Sequence, residues 1–442
     1  MHDDRSIEHL RELIRIPTIS RLDESEVDWT QFDRFVETVV RLYPLTHATL
    51  TRELIAGHSM LYRWPGAAST DPTVLMAHYD VVAASDDGWT HSPFSAEVTG
   101  VGDDRIIWGR GTLDDKGSLV AILEAVERSV HAGFVPANDI YLSFGHNEET
   151  AGTGAAAIVD LLEERGVRPA LVLDEGGAVA LDAFPGVVQP LAVVGVSEKG
   201  TTLVRLTVDQ KGGHASTPPT VTATARLARA VVRLGRHPFP SRFNPATLAM
   251  LRTLAPHATG AVGRVLRSLA VTKPLLLRIF ARSDETRAMI RTTQAVTMLD
   301  AGHAANALAE HAEAMVNVRV AVGSSVNDAV SHLRKVIRDS AVTIEIVQAG
   351  EPSPISPASG RAWSAIAETV AQTHPEAIVT PYVQNGATDS RHFTRIARNV
   401  YRFTPFVMSR EERDTLHARN ERMHVSSYLR GIEFYRQLIE KL

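Results

Sequence analysis

The 442-residue sequence contains no cysteine. That removes disulfides, thiolate metal sites, iron–sulfur clusters and thiol nucleophiles together, so any metal must rest on histidine and carboxylates. Apolar runs of the ~18 residues needed to span a bilayer are also missing. The opening MHDDRSIEHLREL is acidic and amphipathic, without the apolar stretch of a secretory signal. These features predict a cytoplasmic protein with no membrane partner. Charge of one sign is lacking too: 46 Lys+Arg stand against 51 Asp+Glu, a net of -5. Such a balance offers no footprint for a polyanion, and a nucleic-acid partner is not expected. The 44% hydrophobic and 22% charged residues are those of a folded globular chain.

The apolar spacing predicts helices over residues 5–16 and 30–42. Short β-rich runs follow at 73–77, 106–108 and 140–144, with a helix at 118–132 between the last two. A further helix (152–165) and strand (170–173) make the first ~190 residues an α/β layer structure on a largely parallel sheet. From residue 200 the order changes to strand (201–208), helix (221–234), strand (295–299), strand (314–320), helix (326–337) and strand (342–348). That β-α-β-β-α-β order predicts a ferredoxin-like insert. After the Pro- and Ser-rich stretch 350–360, a helix (363–372), a strand (399–402) and a final helix (426–442) complete the first unit. The predicted division is therefore residues 1–194 with 350–442, and an insert of 195–349. Residues 236–285 are too long for a bare connection, and their leucines predict an extra helical hairpin packed on the insert.

Four places carry chemistry at predicted strand ends. His78-Tyr79-Asp80 follows an apolar strand, where α/β sheets present their sites. There His78 can bind a metal while Asp80 orients it. Asp114 and Asp115 sit where glycines lead into a helix, and either could simply cap that helix. Lys116-Gly117-Ser118 is not a P-loop ending, so the glycines are no phosphate cradle. Glu148-Glu149 and Asp174-Glu175 are adjacent carboxylate pairs. Each alone could be a solvated loop, but four such ends in one sheet match the hard N/O donors of a two-metal site, one carboxylate bridging both ions.

The string then resembles a family: the co-catalytic zinc amidohydrolases that include aminoacylase, carboxypeptidase S, carboxypeptidase G and succinyl-diaminopimelate desuccinylase. The resemblance spans nearly the whole chain. It rests on HYD (78–80), GRGTLDDKG (109–117), GHNEE (145–149), LDEGG (173–177), GGHAS (212–216), NGATDSRHF (385–393) and HARNER (417–422). VSEKG, IRTT and YRFTP bring it nearest the carboxypeptidase S and N-acyl-amino-acid hydrolase branch. Two departures stand out: Asn147 where the family commonly has Asp, and Asn306-Ala-Leu-Ala where it has Asn-Val-Ile-Pro.

By position, the resemblance makes His78, Asp114, Glu149, either Glu175 or Asp174, and His417 the metal ligands, with Asp114 bridging. His424 is the alternative to His417. The resemblance also implies Glu148 as general base, Asp80 as the residue orienting His78, and a cis peptide between Asp114 and Asp115. His214 becomes an oxyanion donor, often acting across a dimer, Asn306 a substrate contact and Arg319 a carboxylate clamp. Arg319 could equally be a salt-bridged edge residue. Two Zn²⁺ per chain are implied, with Co²⁺ or Mn²⁺ as possible substitutes, and a homodimer through the insert acting as a lid. The expected reaction is hydrolysis of the amide bond of an N-acyl amino acid or short peptide with a free carboxylate, with residues 266–280 as an apolar wall for the acyl group. The alternatives are a dipeptidase or small-metabolite amidase, and a non-catalytic metal-binding module.

Overall fold

The computed structural model describes residues 2–442. Its main sheet has ten strands. At its centre Asn138–Gly145, Ala68–His78, Leu171–Asp174 and Val400–Arg402 run parallel. Those strands read as continuous apolar runs because both faces are covered by helices. Thr51–Ile55 and Ser59–Trp64 extend one side as an antiparallel hairpin. Leu191–Glu198 extends the other and carries Val179–Ala180 and Ile378–Gln384 beside it.

The helix Lys116–His131 is buried along almost its whole length. The sheet lies on one side, and the helices His2–Ile14 and Val425–Lys441 on the other. Glu124, the deeper of its two buried acids, is satisfied by Ser6 Oγ at 2.5 Å and His9 Nδ1 at 2.6 Å.

The second sheet is separate. Gly200–Asp209, Thr293–Ala301, His311–Val320 and Thr343–Gln348 are all antiparallel, with Gly200–Asp209 and His311–Val320 in the middle. Alternate residues of the two central strands face a core of their own, closed by the helices Ala223–Arg236 and Val326–Ile337. Ser325 and Asp328 form a capping box that starts the second helix.

Three differences from the sequence reading have physical causes. Residues 236–285 form not a hairpin but the helices Pro245–Leu254, Gly260–Arg267, Leu269–Phe280 and the start of Asp284–Ile290. They pack not on the insert but on the main sheet, where Met250, Leu251, Leu276 and Phe280 share a cluster with Leu191, Ile378 and Tyr382. Ile378–Gln384 escaped the pattern because Pro381 argues against a central strand, and it is an edge strand paired only to Leu191–Glu198. Ile106–Trp108 does not join the main sheet. It pairs with Val98–Thr99 and Arg422–His424 in a three-stranded sheet, so the four charged ends do not share one sheet.

Leu119 is wholly buried in the helix Lys116–His131. Leu119→Ala is expected to cost about 2–5 kcal/mol in chemical denaturation, since the packed helices cannot collapse onto the cavity.

Candidate metal centre

Parallel register brings the first donors together. His78 pairs with Gly145, so the loop His146–Glu149 leaves its strand beside the imidazole, and Asp174 ends the next strand over. Two chain segments far apart in sequence supply the rest. Arg422 pairs with Trp108, which sets the loop 109–115 against the loop 417–421.

Asp114 occupies the middle. Its Oδ1 lies 2.9 Å from His78 Nε2 and its Oδ2 2.9 Å from His417 Nε2. Glu149 Oε2 approaches His417 Nε2 at 3.1 Å. The peptide between Asp114 and Asp115 is cis. Asp80 is fully buried, and its two carboxylate oxygens accept the backbone amides of Glu148 and Glu149, both at 3.1 Å. Its Oδ1 also stands 3.3 Å from His78 Nδ1, which contacts the Asp80 carbonyl at 3.0 Å. Acceptors at Nδ1 hold a ring hydrogen there, which would leave Nε2 free to give its lone pair to a bound metal.

Charge at this centre is crowded. Burial, reinforced by the negative neighbours Asp389, Asp114 and Asp80, pushes the Glu148 carboxyl well above the usual range. Burial and then Asp114, Asp174, Asp115 and Glu148 do the same to Glu175. Asp114 is held below the usual range, because hydrogen bonds from both imidazoles outweigh its burial. His417 is pushed up to about 10 by its contacts with Asp114 and Glu149. For His78 the cost of burial is outweighed by Asp114 and Asp80, and its pKa also rises. Neighbouring cations are engaged elsewhere: Lys116 Nζ donates to the carbonyls of Leu13 and Ile16, and Arg110 pairs with Glu421.

This donor set fits divalent metal. Donor atoms of His78, Asp114 and Glu149 lie within 4.8 Å of one another, and Glu149 Oε1 is buried with no hydrogen-bond partner among the described residues. All are hard O and N donors. Asp174 and Glu175 differ: Asp174 Oδ2 accepts the amide of Ser390 at 2.8 Å, whereas the Glu175 carboxyl is raised by its burial and by Asp114, Asp174, Asp115 and Glu148 around it. His424 lies apart, 3.7 Å from Glu412.

The insert residues stand differently. His214 and Asn306 are exposed on adjoining loops joined through the His214–Ala307 bridge and the Ala215 amide to the Asn306 carbonyl. Arg319 is half-buried on a central strand rather than an edge, and donates to Thr201 Oγ1 at 2.7 Å. No carboxylate pairs with it among the described residues, so it is not the salt-bridged edge residue that the sequence allowed. The supposed apolar wall is divided. Leu266, Leu276 and Phe280 are consumed in the cluster on the main sheet, and Val271, Leu275 and Ile279 face solvent.

With that geometry in place, the family model described as peptidase family M20/M25/M40 matches residues 74–441. The chain belongs to this family. It is thereby a hydrolase of the peptidase and amidohydrolase type, from a metal-dependent family. It is similar to the human N-fatty-acyl-amino acid synthase/hydrolase PM20D1, 36% identical over 440 residues covering 98% of this chain and 87% of that protein. A probable carboxypeptidase S-like 2 of Dictyostelium discoideum is 35% identical, covering 95% and 80%. Among solved structures, the M20 family metallo-carboxypeptidase Sso-CP2 of Sulfolobus solfataricus shares the fold at a TM-score of 0.71 and 18% identity, with 98% of each chain covered.

Sequence reading passed over Glu421, although HARNER contains it. This wholly buried carboxylate accepts the amides of Gly111, Leu113 and Asp114 at 3.0, 2.8 and 3.2 Å through Oε1, and pairs through Oε2 with Arg110 at 2.5 Å. The missed signal was a pair of opposite charges, one in each of two glycine- or asparagine-bearing loops. Glu421→Ala leaves Arg110 buried and unpaired, and is expected to cost about 3–5 kcal/mol in thermal or chemical melts. It should also lower retained metal, read by elemental analysis after dialysis.

Proposed function

We propose that the protein is a two-zinc hydrolase that cleaves the amide bond of N-acyl amino acids, or of short peptides with a free carboxylate. The observation that supports this most is Asp114, which gives one carboxylate oxygen to each histidine side of the centre. His78, Asp114 and Glu175 would hold one ion, and Asp114, Glu149 and His417 the other. Glu175 is preferred to Asp174 because the Asp174 carboxylate already caps Ser390. The thiol-free N/O donor set suits zinc and also admits Co²⁺ or Mn²⁺. When bound, the ions polarise the scissile carbonyl and acidify water toward neutrality.

Glu148 is the general base. As a carboxylate it takes a proton from water and returns it to the leaving amine, and its burial among negative neighbours raises its affinity for that proton. Asp80 positions both Glu148 and His78 through the same carboxylate. His214 donates to the oxyanion, Asn306 borders the substrate, and the unpaired Arg319 clamps the substrate carboxylate. Because Arg319 lies on the second sheet and His214 and Asn306 on loops of the same insert, the insert acts as a lid that must close for turnover. A homodimer through it is supported by Met298 and Leu299, both more than half exposed on an edge strand. The names of the human and Dictyostelium relatives support acyl-amino-acid and carboxypeptidase substrates. A cytoplasmic location agrees with the absence, among the described residues, of any helix long and apolar enough to cross a membrane.

Glu148→Gln is expected to keep about two zinc ions per chain by elemental analysis while kcat on an N-acyl amino acid panel falls roughly 10²–10⁴-fold. Unchanged turnover in that variant would sink the assignment of the base. Removing zinc with a chelator should abolish activity, and added Zn²⁺ should restore it. Arg319→Gln should raise KM about ten- to hundredfold for substrates with a free carboxylate, with little change for their amides.

A further inference from the structure

Residues 236–283 hold eight of the chain's 46 basic residues and none of its 51 acidic ones. In a chain of net charge -5 this is a positively charged island. It coincides with the helices packed on the main sheet, and Arg252, Arg264, Lys273, Arg278 and Arg282 are all exposed there. None of the five forms an ion pair among the described residues.

An apolar stripe runs through the same island. Val271, Leu275 and Ile279 lie four residues apart on the helix Leu269–Phe280, so they share one face. They are 83%, 48% and 44% exposed. This is not a fraying or unpacked helix, because its opposite side is spent: Leu276 and Phe280 are buried with Met250, Leu251 and Leu254. Arg278 lies one residue from Ile279 around the same outward side, and Arg282 follows one turn beyond. The base is tied down as well. Lys199 Nζ holds the carbonyls of Ala288 and Arg291 at 3.1 Å each, which pins the end of the helical segment to the strand pair of the main sheet.

We propose that the outward face of the helix Leu269–Phe280, with its flanking arginines, docks the protein peripherally on an anionic lipid surface. Charge complementarity selects this occupant. Aliphatic side chains on a convex helix, flanked by guanidinium groups that can reach upward to phosphates, match the requirements of interfacial binding: apolar burial among acyl chains plus attraction to anionic headgroups. A polyanion such as nucleic acid would leave Val271, Leu275 and Ile279 in water. The inference concerns binding alone and does not rest on the chemistry proposed for the metal centre. It revises the expectation of no membrane partner, since peripheral docking needs no spanning helix. Such a surface is also where an amide with a long acyl chain would be concentrated.

Co-sedimentation of the full chain with phosphatidylglycerol/phosphatidylcholine vesicles and with pure phosphatidylcholine vesicles tests it, at low and at high salt. The expected result is binding to the anionic vesicles only, released by salt. Arg278→Glu with Arg282→Glu should weaken binding at least about tenfold, since each basic residue near such a surface contributes roughly fivefold in affinity. Val271→Glu with Leu275→Glu and Ile279→Glu should remove it. All five positions are exposed, so both variants should keep the wild-type melting temperature and metal content, which separates lost docking from lost folding. No binding by the wild type, or equal binding by both variants, overturns the proposal. So does loss of self-association in the triple variant without any vesicle binding by the parent, which would make a second copy the occupant.

Discussion

The Glu421 carboxylate is the interaction on which the centre depends. It lies 307 residues from Asp114 in sequence, yet it accepts the Asp114 amide and those of Gly111 and Leu113. A carboxylate buried this completely would ordinarily be neutralised, and Arg110 keeps it compensated. The result is that two loops with little regular structure become one object. Asp114 leaves that object on one side and His417 on the other, and their contact at 2.9 Å follows from the shared anchor. The main sheet alone could not have done this, because neither loop belongs to it.

The second constraint is electrostatic. Asp80, Asp114, Asp115, Glu148, Glu149, Asp174, Glu175 and Asp389 stand near one another around two imidazoles. Burial raises Asp389 to about 7, with Arg391 opposing and Asp174 adding to the rise. Without compensating cations such a cluster holds protons in place of charge. Amides and hydroxyls stabilise some members: Asp80 takes two backbone amides, Asp174 one, and Asp115 the amide of His78 at 3.3 Å. Among the described residues Glu148 and Glu175 accept no such amide, and Glu149 has only the His417 imidazole at 3.1 Å. A divalent metal would favour the deprotonated form of these three carboxyls and of the two imidazoles.

How much of this was legible in sequence depends on where each residue's partner came from. The helix Val326–Ile337 and the closing helix Val425–Lys441 lie within a residue or so of their periodic patterns, because one apolar face against one core is a local property. The candidate donors His78, Asp114, Glu149 and His417 were legible as motif residues, and they lie close together in the structure. The scaffolding around them was not. Glu198 and Arg402 form a fully buried pair at 2.9 Å, but each sits in an apolar strand where a lone charge reads as a surface position. The helices of 236–285 carry leucine on several faces. Spacing shows that one face is buried without showing against what, and the surface that receives it is built from Leu191, Ile378 and Tyr382, far away in the chain.

The chain crosses between the two sheets at Glu198–Gly200 and again at 349–353, and the two crossings are tied to each other. Ser197 Oγ donates to the Ser353 carbonyl at 2.7 Å, and the Glu198 amide donates to Ser353 Oγ at 2.9 Å. Glu198 then reaches Arg402 and the Thr388 amide, next to the Asp389 that stands beside His78. Lys199, one residue on, holds the end of the helical layer. Burial lowers its pKa to about 8, with nearby Arg319 adding to the effect. Consecutive side chains at one crossing therefore point to the metal centre's second layer and to the helical layer, and a third group nearby, Arg319, to the insert. The Glu198–Arg402 pair is sealed within the main sheet, whereas Lys199 and Arg319 lie near each other where the insert begins. The crossing thus anchors the carboxylate-bearing strand ends by contacts made within the main sheet, separate from those that hold the insert's own strands.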